Sequence, residues 1–257
     1  MNLTFYKYQG TGNDFVMIDN RSKIFKKDST EIISHLTNRH FGVGADGIIL
    51  IENDETLDFK MIYFNSDGKE TSMCGNGGRC IVSFANKLSI IKDKAKFMAI
   101  DGTHEGFVDH GIVSLQMNNV KLIEQIQNGY VLDTGSPHYV EFYDSINELD
   151  VVIKGREIRN EKKISSNGIN VNFVQVINNS CIKVRTYERG VENETLSCGT
   201  GVVAAVLSAS KRGSVEGNKI KIITLGGDLY VSFNFNNSTF ENIWLEGPAV
   251  EVFKGKI

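Results

Sequence analysis

Proline is scarce in this chain. Pro137 and Pro248 are the only two among 257 residues, and no proline-rich or low-complexity stretch could act as a spacer. Halves joined by an extended linker are thereby excluded, and any repeat in the chain is expected to pack closely. Cysteine is sparse as well: four residues are too few for a disulfide scaffold and point to reduced thiols in a cytoplasm. No apolar run approaches the ~18 residues that a membrane helix needs. The first residues, Met1 to Lys7, lack the charged-then-apolar layout of a secretion signal, and Asp14 interrupts the only candidate core of one, so a cytoplasmic location is the expectation. An excess of positive charge is also missing. A formal net charge of −3 offers no basic field to nucleic acid or to an anionic membrane, and neither is expected as a partner.

What is plentiful is glycine, with 25 residues, which implies many turns between short strands in place of long helices. Two glycine-rich stretches stand out. Met73-Cys74-Gly75-Asn76-Gly77-Gly78-Arg79-Cys80 and Ser197-Cys198-Gly199-Thr200-Gly201-Val202-Val203 each place a cysteine before a small glycine-rich turn and then an apolar helical segment. Glu70-Thr71 precedes the first as Glu194-Thr195 precedes the second, and Tyr63 answers Tyr187, every pair separated by 124 positions. Thr134-Gly135-Ser136 follows Thr11-Gly12-Asn13 by 123, and Asn167-Gly168-Ile169-Asn170 relates in the same way to Gly44-Ala45-Asp46-Gly47. A repeat at one offset over several separate stretches predicts a duplicated chain.

Periodicity fills in the elements. Leu3–Lys7 alternates as a strand, Gly10–Asp14 is a turn, and Phe15–Asp19 is a second strand. Asp28-Ser29-Thr30-Glu31 reads as a helix start, and the consecutive apolar run Ile48–Ile51 as a strand covered on both faces. A helix is predicted from about Asn76 to Leu88, and a second after Cys198 that ends near Gly213. The segments Lys96–Met117 and Ile220–Leu245 read as strands, the first of them as antiparallel hairpins around Gly102, Gly106 and Gly111. The expected fold is α+β: two pseudo-symmetric domains, each a curved antiparallel sheet around a central helix, with the active site in the cleft between them. The boundary falls near residues 118–129, giving halves 1–122 and 123–257, and the extreme C-terminal strand is a candidate to join the first half.

The chemistry follows from where the cysteines sit. A helix opened by Gly-Asn-Gly-Gly or Gly-Thr-Gly presents backbone N–H groups and partial positive charge to whatever lies in front of it. Such an end can bind a carboxylate and can lower the pKa of the cysteine that precedes it. Two of these ends holding one carboxylate would set the sulfurs on opposite sides of the attached carbon. One thiolate could then remove a proton from one face while a thiol returns one to the other, with the helix ends stabilising the charge that develops. Cofactor-independent racemases and epimerases need this arrangement.

The residues resemble the diaminopimelate epimerase family of two-cysteine epimerases over nearly the whole chain. The likeness rests on Gly12-Asn13-Asp14-Phe15, Asn38–Gly47, Phe64–Gly68, Met73–Cys80, Ser136-Pro137-His138, Asn170–Gln175, Tyr187-Glu188-Arg189-Gly190 and Glu194–Gly201. It implies epimerisation of LL- to meso-2,6-diaminopimelate for lysine and peptidoglycan precursors, without pyridoxal phosphate or metal, by a homodimer. It also implies that Cys74 and Cys198 are the acid/base thiols and that the amides of Gly75, Asn76, Gly199 and Thr200 bind the reacting carboxylate. Asn13, Asn65 and Asn170 would hold substrate, with Glu188 at the distal ammonium and Arg189 at the distal carboxylate. Arginine suits that last task because its fork bonds a carboxylate bidentately.

Three departures touch the distal end or a side contact. Ser136 stands where the family usually has asparagine and is a further candidate ligand. The Glu188–Thr195 segment is one residue longer than the commoner form, and Gly47 replaces a glutamine found in some members. Two alternatives stay open: another racemase or epimerase of the same fold, of proline or hydroxyproline type, and a non-catalytic small-carboxylate-binding relative. The proline types tend to carry histidine where Asn76 stands. Cys80 and Cys181 read as packing residues, and Arg79 as a structural ion-pair partner. His138 reads either as a substrate-orienting group or as a turn histidine satisfying local bonds. The remaining histidines show no metal-binding spacing, and no cofactor or metal is assigned.

Overall fold

Thr4–Gly10 forms β1 in a computed structural model that describes every residue except 1, 2 and 28. The turn at Thr11-Gly12, both at positive φ (49° and 88°), reverses the chain into β2 (Asn13–Asp19), antiparallel to β1. Helix α1 (Thr30–Thr37) then carries the chain across, so that β3 (Gly47–Glu52) runs parallel to β2. Every residue of β3 is buried, as its unbroken apolar run requires. β4 (Phe59–Asn65) returns antiparallel to β3, with the short β5 (Glu70–Thr71) on its end. Helix α2 (Gly75–Lys87) leads to β6 (Lys94–Ala99), parallel to β4, and β7 (Gly102–Asp109) and β8 (Ile112–Met117) follow as hairpins.

The same order recurs. β9 (Glu124–Ile126) lies antiparallel to β10 (Gly129–Asp133), and β10 pairs in turn with β11 (Pro137–Phe142). Helix α3 (Val151–Arg159) precedes β12 (Asn170–Asn178), parallel to β11. Then come β13 (Cys181–Glu188), β14 (Asn193–Thr195), helix α4 (Gly199–Arg212), and β15 (Lys219–Thr224) parallel to β13. β16 (Gly227–Asn236) and β17 (Thr239–Pro248) are antiparallel, and β18 (Val250–Lys256) pairs antiparallel with β1.

The chain divides into two units, Met1–Leu115 with Gly247–Ile257, and Gln116–Glu246. The sequence places one changeover at 122/123. In the structure the changeovers fall inside β8 and inside β17, the second of them at Gly247-Pro248. The C-terminal residues return to the first unit because β18 completes the edge beside β1. Each unit is α+β, but its sheet is mixed, which corrects the expected antiparallel arrangement. Among the described residues four pairings are parallel, and each brackets one of the four helices. A helical crossover returns the chain to the end it left, so the next strand must run parallel to the last.

Helix α1 begins at Thr30, and the Asp28 of its predicted start lies outside the described residues. The glycine-opened helices α2 and α4 are largely buried, α4 on nearly all sides, and Gly213 ends α4 in the left-handed conformation (φ 74°). Among the described residues no helix is long and apolar enough to cross a membrane. Helix α3 is absent from the sequence reading; Asp150 caps it by accepting from Ile153 N at 2.9 Å. It lies hard on β13: a Cβ at Gly155 would stand 2.4 Å from Cβ of the fully buried Tyr187. Gly155→Ala is therefore expected to destabilise the protein by about 1–3 kcal/mol, read as a lower urea midpoint; an unchanged midpoint would show that the α3 contact is softer than drawn.

Candidate functional site

In the first unit Cys74 is the N-cap of α2, in an extended conformation (φ −103°, ψ 152°). Its Sγ accepts from Gly77 N at 3.2 Å, the bond a serine or threonine cap would make. The thiol points to Asn13 Oδ1 at 3.9 Å, and the same oxygen accepts from Asn76 Nδ2 at 3.4 Å. Asn13 is oriented from behind, because its Nδ2 donates to Asp46 Oδ2 at 2.6 Å. Asp14, next in sequence, pairs with Lys7 (2.7 Å) and Arg39 (2.8 Å), and Arg39 also reaches Asp46 (2.7 Å). Burial opposes ionisation of Asp14, but Arg39 and Lys7 overcome it and hold its pKa at about 2, so the turn after β1 is clamped by charge. Asn65 enters no such cluster. It closes β4 opposite Gly47, exposed, its backbone bonded to Lys69 and Gly68.

Arg79 is fully buried in α2. Its NH1 donates to Gly75 O (3.1 Å) and its NH2 to Thr11 Oγ1 and Asn76 Oδ1 (both 3.1 Å). Among the described residues it forms no ion pair, which corrects the expectation of a structural one: its acceptors are neutral oxygens. Burial pushes the Cys80 thiol up to about 12 and raises that of Cys181 too, so both suit packing rather than thiolate chemistry.

In the second unit Cys198 is the N-cap of α4 (φ −117°, ψ 114°) and only 7% exposed. Its Sγ lies 3.5 Å from Thr200 Oγ1, which lies 2.9 Å from His138 Nε2. His138 Nδ1 meets Asn172 Nδ2 at 3.0 Å. Asn172 Nδ2 also donates to the carbonyl of Tyr139 (3.1 Å), and its Oδ1 accepts from Thr186 Oγ1 (3.0 Å), which fixes the amide's orientation. Nδ1 of His138 must therefore accept, the ring proton sits on Nε2, and Nε2–H donates to Thr200 Oγ1. The Thr200 hydroxyl thus lies against the Cys198 sulfur, and either group can donate across that contact. A Cβ at Gly201 would fall 2.4 Å from Asn172 Oδ1, so the glycine lets α4 come this close to the network. Thr134 Oγ1 ties the turn before β11 to Thr200 O at 2.9 Å.

Asn170 gathers the remaining candidates of this unit. Its Nδ2 donates to Ser136 Oγ (2.9 Å) and Pro137 O (3.2 Å), and its Oδ1 accepts from Arg189 N (2.9 Å). Arg189 NH1 donates to Gly168 O at 3.1 Å, and Glu188 ends β13 beside it. Glu192 pins the lengthened segment: its carboxylate accepts from Arg159 Nε, Gly190 N and Tyr187 OH, each at 3.0 Å. In both helices the amides of the first turn, at Gly75 and Asn76 and at Gly199 and Thr200, have no intrahelical carbonyl to bond.

The structure thus joins Cys74, Asn13 and Asn76 in one cluster, Cys198 and Thr200 in another, and Ser136, Asn170 and Arg189 in a third. Thr134, Asn172, Asp46 and Glu192 escaped the sequence reading. The one visible signal was Asn172, placed two residues after Asn170 and hence on the same face of β12.

Burial, with the charge of Arg189, lowers the His138 pKa from 6.5 to about 3, so the imidazole is neutral in the folded protein. The unfolded chain takes up this proton as the pH falls below 6.5. Stability is therefore expected to decline through the window from 6.5 to about 3, and His138→Gln should show a shallower decline. Parallel urea titrations across that window check this; equal slopes in the two proteins would contradict it.

A family model described as diaminopimelate epimerase matches residues 5–106 and 130–252. A diaminopimelate epimerase of Flavobacterium psychrophilum is 52% identical over 256 residues, covering 99% of this chain and 100% of the relative. One of Chlorobaculum tepidum is 40% identical, covering 96% and 98%. Among solved structures, a hydroxyproline epimerase from Agrobacterium vitis superposes with a TM-score of 0.72 at 12% identity, covering 100% of this chain and 92% of that one. A phenazine biosynthesis protein of the PhzF family from Bacillus anthracis gives 0.75 at 12%, covering 100% and 99%. At such identities the likeness concerns the fold, two-domain α+β. The matches over nearly the full length decide the family, and the chain belongs to the diaminopimelate epimerases.

Proposed function

We propose that this protein epimerises LL-2,6-diaminopimelate to the meso isomer without a cofactor, by a two-base mechanism in which Cys74 and Cys198 serve opposite faces of one carbon. The observation that carries the reading is that each unit places a cysteine as the N-cap of a buried, glycine-opened helix. One sulfur, as thiolate, takes the α-proton and becomes a thiol. The other, as thiol, donates its proton to the opposite face and becomes a thiolate. The enzyme ends with its protonation pattern exchanged, ready for the reverse reaction.

The amides of Gly75, Asn76, Gly199 and Thr200 hold the reacting carboxylate, where positive helix ends stabilise the charge that spreads onto it in the transition state. Asn13 and Asn65 contact substrate, and Glu188 and Arg189 receive the distal ammonium and carboxylate. Both amide hydrogens of Asn170 are committed to Ser136 and Pro137, so Asn170 acts mainly by holding the segment that carries Arg189. Ser136 contributes as the acceptor in that bond. The Thr200 hydroxyl, with His138 behind it, lies beside the Cys198 sulfur and donates to it when the sulfur is a thiolate, which supports that form. The working protein is a cytoplasmic homodimer that supplies lysine and peptidoglycan precursors.

Cys74→Ala and Cys198→Ala, each made alone, are expected to lose epimerisation of LL-diaminopimelate by at least about 10³-fold. Circular dichroism should show the fold retained. Wild-type turnover in either variant would exclude the two-base scheme.

A further inference from the structure

The two cysteine-capped helices start alike, yet at one of the buried positions where they differ a charge stands in one helix and an apolar side chain in the other. Arg79, the fifth residue of α2, corresponds through the 124-residue offset to Val203, the fifth residue of α4. Both are 0% exposed. A buried guanidinium costs several kcal/mol of desolvation unless an anion or a full set of acceptors compensates it. The second unit shows that this helix in this setting packs with a valine. The first unit nevertheless keeps the charge, with no carboxylate against it among the described residues, and leaves Nε without an acceptor. The architecture therefore does not require Arg79.

The contacts of Arg79 indicate what the charge is for. In the second unit Thr134 Oγ1 bonds the helix start directly, at Thr200 O. In the first, the guanidinium stands between the corresponding turn and helix, bonding Thr11 Oγ1, Gly75 O and Asn76 Oδ1 together. By taking Asn76 Oδ1 it turns Asn76 Nδ2 toward Asn13 Oδ1, the oxygen that faces the Cys74 thiol. It also sets a full positive charge beneath the first turn of α2, adding to the partial charge of the helix end. Burial lowers its pKa only to about 10, so it stays a cation at neutral pH.

We infer that Arg79 is a positioning residue of the Cys74 half-site: it locks the Asn76–Asn13 pair in register and supplies the fixed buried cation that favours an anion, the thiolate or the bound carboxylate, at the start of α2. This rests on the two-cysteine reading above. The other titratable groups around this helix end are Cys80 on α2 and Tyr8 on β1. Asp14 and Asp46 lie behind Asn13, and Asp101 accepts from Met73 N. All of them remain in the variants below.

The test needs no substrate for its first readout. Wild type, Arg79→Met and Arg79→Lys are alkylated with iodoacetamide across a pH series under reducing conditions, and each cysteine is quantified by peptide mass mapping. In Arg79→Met the alkylation midpoint of Cys74 is expected to rise by about one pH unit or more, with that of Cys198 unmoved. A folded Arg79→Met protein with an unmoved Cys74 midpoint, or with equal shifts at both cysteines, would overturn the inference. Arg79→Lys keeps the charge but replaces the planar fork, whose NH1 and NH2 reach separate acceptors, by a single nitrogen, so its kcat on LL-diaminopimelate should fall about tenfold or more while KM changes less. Wild-type kcat in that variant would overturn the positioning role, and this readout decides the matter if Arg79→Met does not fold. Should no variant or wild type turn over diaminopimelate at all, the reading of function fails while the alkylation midpoints still judge Arg79.

Discussion

The structure depends on starting a buried helix at a cysteine. A helix start leaves four N–H groups without carbonyl partners, and burying them without compensation is costly. Both units start the helix at a cysteine, but only the Cys74 sulfur caps a first-turn amide, that of Gly77. The cysteine takes the extended cap conformation, and glycines follow where the chain presses against neighbouring side chains. The turn between the first two strands of each repeat reaches the helix end, by Thr11 through Arg79 in one unit and by Thr134 directly in the other.

Duplication supplies two such starts, and the differences between them are where chemistry has been added. Around Cys74 an asparagine carbonyl faces the sulfur and an arginine is buried beneath the helix. Around Cys198 a hydroxyl faces the sulfur and a neutral histidine stands behind it. A reaction that takes a proton from one face of a carbon and returns one to the other needs two bases with similar backbones. It does not need two identical surroundings.

Much of this was legible in the sequence because it rests on local chemistry. The cysteine-glycine starts predicted α2 and α4 to within a residue or two of their observed limits, and Gly213 marked the end of α4. The unbroken Ile48–Ile51 run foretold a strand buried on both faces. What stayed hidden depends on partners distant in the chain. Strand direction is set by the crossover that precedes a strand, so the parallel pairings could not be read from alternation. Helix α3 has a weak apolar stripe and a capping aspartate, and its position is decided by packing on Tyr187. The orientation of the Asn172 amide depends on Tyr139 and Thr186 together, which no single stretch displays. Arg79 looked like half of an ion pair because a buried arginine usually is; its neutral partners are visible only once the Thr11 turn is folded against α2.

The central claim, that two separate sulfurs handle the proton on opposite faces, is tested most directly by where solvent deuterium goes. Wild-type protein is incubated with LL-diaminopimelate in D₂O, and the early mixture is separated into its isomers. The account predicts that the meso product carries deuterium at its inverted α-carbon from the first turnovers while the recovered LL substrate keeps its protium. Early deuterium in the recovered LL substrate, at the rate it enters the product, would mean that a single base serves both faces and would contradict the account.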